Sequence, residues 1–118
     1  MPHVVVNGPA SVEKFYQNFE TIHIQDQDTI IKVKEVFLNT KKTQALLECI
    51  VVEDRVSIAF YTVLSQGKGK ITVWLDPLTD PEKNDGVKRL LAVVGHKLKS
   101  QDPACQYGKH NLAGYLMD

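Results

Sequence analysis

From Thr29 to Leu75 apolar and polar residues alternate with a period of two, broken at Thr40-Lys41-Lys42-Thr43, Glu53-Asp54-Arg55 and Gln66-Gly67-Lys68-Gly69. That period belongs to β-strands, whose successive side chains point to opposite faces. The breaks leave four strands, Ile30–Leu38, Gln44–Val52, Val56–Ser65 and Lys70–Leu75. Connections this short allow only antiparallel neighbours, hence a meander. In the first strand the apolar positions change face around Lys34-Glu35, from Ile31 and Val33 to Val36 and Leu38, which predicts a bulge.

Before the meander, Pro2–Val6 is a β-branched run closed by the turn residues Asn7-Gly8-Pro9, and reads as a further strand. Ser11 then caps a short helix with Glu13 in its first turn and an apolar stripe of Val12, Phe15, Tyr16 and Phe19. Ile22 and Ile24 flank His23 as a strand fragment at most, before a polar loop at Gln25-Asp26-Gln27-Asp28. After the meander, Asp80-Pro81 has the form of an N-cap followed by N1, opening a helix over Pro81–Lys99. Its apolar face is Val87, Leu90, Leu91, Val94 and Leu98, with Lys88, Lys97 and Lys99 opposite. Gly86 and Gly95 each weaken that helix by about 1 kcal/mol relative to alanine. The stretch 101–118, with Pro103, Gly108 and Gly114, reads as an irregular tail. The expected fold is α+β, one domain over 1–118: an antiparallel sheet of about five strands with a short N-terminal and a longer C-terminal helix on one face.

Two of the strands lack a polar face. In Gln44–Val52 one side carries Ala45, Leu47, Cys49 and Val51, and the other Leu46, Ile50 and Val52 with only Glu48 charged. The next strand sets Val56, Ile58, Phe60 and Leu64 against Ala59, Tyr61 and Val63. Antiparallel sheets with one wet face alternate apolar with polar residues more cleanly than this. Two helices cover one face but hardly both, so the second face predicts a homo-oligomer, a dimer first, with Leu46, Ile50, Val52, Tyr61 and Val63 in the interface. The competing cover is the tail, through Leu112, Tyr115 and Leu116.

Composition narrows the function classes. Apolar residues make up 43% and charged residues 24%, the balance of a folded domain and not of a disordered one. Fourteen basic residues offset fourteen acidic ones, so no general field draws nucleic acid or an anionic membrane, and neither partner is expected. With no signal-peptide pattern and no membrane-length apolar run, the expected location is the cytoplasm. Cys49 and Cys105 show neither a disulfide framework nor metal spacing and are expected as reduced thiols.

The start Met1-Pro2-His3-Val4-Val5-Val6 resembles the tautomerase superfamily, in which removal of the methionine exposes a proline amine that acts as general base. The resemblance covers six residues and implies parallel β-α-β units, whereas the middle of the chain predicts an antiparallel meander. The preferred reading is that Pro2 begins an edge strand. His3, His23, His96 and His110 have no metal-ligand spacing, so neither metal nor cofactor is expected. Asp76, Asp80, Glu82 and Asp85 could hold a hard cation, but acids before a helix are already favoured by its dipole. Gln66-Gly67-Lys68-Gly69-Lys70 lies between strands and reads as a hairpin turn, not a phosphate loop. No nucleophile elbow is present.

No residue pattern specifies a reaction. The leading expectation is a non-catalytic binding or assembly domain; the rival is a small enzyme or apolar-ligand carrier with a pocket between the sheet and the last helix. In that second case Tyr61 and Trp74 are the candidate contacts for a small-molecule ligand.

Overall fold

In a computed structural model that describes Met1–Asp118, the alternating segment forms the middle of a larger sheet. The elements in chain order are β1 (His3–Asn7), α1 (Val12–Gln17), β2 (Ile22–Asp26), β3 (Thr29–Leu38), β4 (Gln44–Glu53), β5 (Val56–Gly67), β6 (Lys70–Leu75), α2 (Asp85–Lys99) and β7 (Gln106–His110). They make one seven-stranded sheet of order β2-β3-β4-β5-β6-β1-β7, in which every pair is antiparallel. The sheet therefore has seven strands and not about five.

The two additional strands are edges. The Ile22–Ile24 fragment extends to Asp26 and pairs along its whole length with β3, so the expected loop at 25–28 shrinks to a turn. The tail is not wholly irregular either, since β7 pairs with β1. β1 in turn crosses the molecule to β6, setting His3 against Trp74 and Val6 against Ile71. The bulge falls where the change of face requires it: Val33 pairs with Cys49 and Glu35 with Glu48, leaving Lys34 as the extra residue.

Both helices pack on one face of the curled sheet. α1 meets β3, β4 and β5, and α2 meets β1, β3, β4 and β6, so the sheet wraps around α2. Between the layers lies a core of 25 buried residues that includes Val4, Leu47, Leu64, Val73, Leu90, Leu91 and Leu98. The two helix glycines are contact points. A Cβ on Gly86 would collide with Val51 Cγ1, and one on Gly95 would stand 3.0 Å from Val4 Cγ1. What these glycines cost in helix propensity is offset by the closeness of α2 to β4 and β1.

The Ser11 hydroxyl accepts from the Lys14 amide at 3.2 Å, the expected cap of α1. That helix stops at Gln17, however, so only Val12 and Phe15 of the stripe are buried, while Tyr16 is 45% exposed. Phe19 lies beyond the helix and packs its ring 6.0 Å from that of Phe15. α2 also starts later than Asp80-Pro81 predicts. Asp80 sits at φ +27°, outside ordinary cap geometry, and the Asn84 side chain accepts from the Val87 amide at 2.9 Å to cap the helix instead. No helix is long and apolar enough to cross a membrane.

Candidate functional site

The pairing register assigns each meander side chain to a face. Ala45, Leu47, Cys49 and Val51 of β4 are buried toward the helices. Their neighbours point the other way and assemble in rows across the strands. One row runs Phe37, Leu46, Val63, Trp74 and His3; another places Lys32, Ile50 and Ala59 side by side; a third aligns Ile30, Val52 and Ser57. Tyr61 stands opposite Glu48. All five residues expected at an interface, Leu46, Ile50, Val52, Tyr61 and Val63, thus share the face that the helices leave open. They are half-buried, each shielded by its row, while Phe37 at the margin is 51% exposed.

The tail does not cover this face. Leu112 is buried in the core beneath the helices, and Leu116 packs against the same core. The Tyr115 ring lies 5.8 Å from Lys88 Nζ, and its hydroxyl donates to Asp85, both on α2. That carboxylate raises the Tyr115 phenol above its usual pKa.

Tyr61 and Trp74 lie on the open face, and therefore do not line a space between sheet and helix. Trp74 Nε1 donates to Ser65 Oγ at 3.3 Å across the strands. The cleft on the helix side is built from other residues. It is a groove of about 990 Å³ between α1, β2 and α2, with Phe19, Ile24 and Val93 on its floor and Met117 of the tail at its margin. Lys14, Arg89, Lys97, His23 and His96 surround it, and Glu20 is the one carboxylate side chain in its lining. Arg89, Val93, His96, Lys97 and Ser100 recur at helical spacing on a face of α2 turned away from the core. Val93 was the sequence signal for this groove, one apolar residue in a polar stripe, and too slight to read without the fold.

A second, smaller hollow of about 450 Å³ sits at the other end of β2. Asp26, Asp28, Glu53, Asp54 and Asp85 line it with Arg89, whose guanidinium lies 3.4 Å from Asp26. No three acidic, histidine or cysteine side chains in the molecule are grouped so as to hold a metal ion. Of the acidic residues before the last helix, only Asp85 contributes to the hollow.

Both cysteines are free and buried. Burial pushes the Cys49 thiol up to about 12, against the opposing effect of the Thr62 hydroxyl 3.4 Å away. Such a thiol is not a nucleophile near neutral pH. Pro2 is buried ahead of β1, and Asn111 clasps the residues on either side of it, accepting from the His3 amide at 2.8 Å and donating to the Met1 carbonyl at 2.7 Å. The strands flanking β1 are both antiparallel, so the β-α-β geometry implied by the tautomerase resemblance is not the geometry around this proline. In comparisons with known proteins, no family model, no curated protein and no solved structure matches the chain.

Proposed function

We propose that this chain is a non-catalytic assembly domain that forms a homodimer through the open face of its sheet. The observation that carries the reading is the position of the tail: with Leu112, Tyr115 and Leu116 packed on the helix side, nothing in the chain covers Leu46, Ile50, Val52, Tyr61, Val63 and Trp74.

The dimensions agree with such a role. Four strands spaced ~4.8 Å apart, each giving about nine residues at ~3.3 Å, present roughly 600 Å² before side-chain relief is counted. That is the area of the whole face, polar positions included, and it approaches the ~800 Å² that each partner of a stable complex buries. The face also carries both signs of charge. Lys32 and Glu48 are half-buried on it, and neither has an ion-pair partner within the chain. Across a two-fold axis, each lysine can meet the glutamate of the other copy.

Sedimentation equilibrium at micromolar concentration tests the proposal. A mass of twice 13.3 kDa, falling to the single-chain value in Ile50→Glu, supports it. A single-chain mass throughout the range overturns it.

A further inference from the structure

We propose that the groove between α1, β2 and the C-terminal half of α2 binds a single-chain amphiphile with an anionic head, of the long-chain carboxylate class. Its volume of about 990 Å³ lies within the range of small-molecule sites. Phe19, Ile24 and Val93 give it an apolar floor that water solvates poorly and a hydrocarbon chain would cover.

The charge around that floor selects the head group. The chain as a whole is neutral, yet its ionic groups are sorted between two neighbouring hollows. The smaller one has five carboxylates and one arginine; the groove has Lys14, Arg89 and Lys97 with the single carboxylate side chain of Glu20, and its His96 is occupied by the Asp118 main-chain oxygen 3.2 Å from Nε2. Arg89, which borders both, is already engaged by Asp26, whereas Lys14 and Lys97 are in no ion pair. These two lysines flank the contact between α1 and the end of α2. Gln101 ties α1 to the end of α2, accepting from the Ser11 amide at 2.9 Å and donating to the Ser11 carbonyl at 3.1 Å. Lys14 lies one helical turn beyond Ser11, and Lys97 one turn before Gln101. The carboxylate sits at that pair of ammonium groups, and the hydrocarbon runs along the floor toward Ile24 and Met117.

Isothermal titration of the full chain with dodecanoate below its micelle concentration provides the test. The expected result is one site per chain, weakened at least about tenfold by shortening the ligand to octanoate, because four methylenes leave the apolar floor. Dodecyltrimethylammonium, with the same chain and the opposite head charge, binds at least about tenfold more weakly. Lys14→Glu combined with Lys97→Glu, two exposed positions whose change leaves the core intact, costs about tenfold or more, and Val93→Glu abolishes binding. Ile50→Glu, on the open sheet face, leaves the affinity unchanged, which keeps this site distinct from the proposed dimer interface. No saturable binding up to about 1 mM dodecanoate, in titrations at two temperatures, overturns the proposal. So does equal binding of the two head groups, loss of binding in Ile50→Glu but not in the lysine pair, or binding of an acidic amphipathic peptide in place of dodecanoate.

Discussion

The two faces of β4 are made from one ten-residue strand, yet they behave as different materials. On the helix side Ala45, Leu47, Cys49 and Val51 are at most 3% exposed and are sealed by α1 and α2. On the other side Leu46, Ile50 and Val52 are nearly as apolar but shielded only by their row neighbours. Hydrophobicity alone does not separate a core from a surface here; the cover does. The helix face is completed by the chain itself, whereas the open face is apolar without a layer above it.

Truncation on the sealed face should have the largest effect. Leu91→Ala removes a fully buried side chain at the centre of α2 and is expected to cost about 2–5 kcal/mol by urea unfolding, at every protein concentration. A loss below about 1 kcal/mol would mean that the helix layer is looser than its packing implies.

Ile50→Glu is the counterpart on the open face. Its effect should depend on concentration: the wild-type unfolding midpoint rises with protein concentration, as for any folded-state association, and the variant's does not. Parallel behaviour of the two proteins would erase the proposed distinction between the faces.

The third comparison uses protons. Since Cys49 titrates at about 12 when folded and near 9.0 when unfolded, both states hold the proton below pH 9 and the shift has no effect there. Between these values only the unfolded chain releases the proton, so stability falls as pH rises, by up to about 1.4 kcal/mol per pH unit from this group. Cys49→Ala should flatten that part of the alkaline slope in urea midpoints measured from pH 9 upward. An unchanged slope would show that water reaches the thiol.

The smallest expected effect distinguishes two candidate helix starts. Asn84→Ala should cost about 1 kcal/mol, the usual value of a side-chain cap, whereas Asp80→Ala should cost less than half of that because its partner Lys83 forms an exposed pair. Equal losses would restore Asp80 as the start of α2.

What was legible in the sequence follows the same physics. The meander, its turns and the bulge at Lys34 could be read because burial on the helix side imposes a period of two, and the change of phase must be absorbed somewhere. β7 could not: Gln106, Tyr107, Gly108, Lys109 and His110 carry no apolar alternation, and the strand exists through its pairing with β1. Gly108 was its only trace, since a Cβ there would lie 2.7 Å from Asn7 Nδ2. Asp80-Pro81 has the composition of a helix start, yet the chain makes another turn before Asn84, and local propensity did not reveal that. The apolar second face of β4 and β5 was visible, because both sides of a strand can be read from its register. The groove was not, because Phe19, Ile24 and Val93 come from three segments with no shared period.

The placement of β1 has a kinetic consequence. β2 through β6 can form as successive hairpins, each closing a short loop, but β1 finds its place only when His3 reaches Trp74 and Val4 reaches Val73 from the far end of the chain. Until that long loop closes, β6 is an unpaired edge of the sheet. Joining β1 to β6 is therefore expected to be slower than closing any of the hairpins, and before it happens an unpaired β6 can capture a strand from another chain.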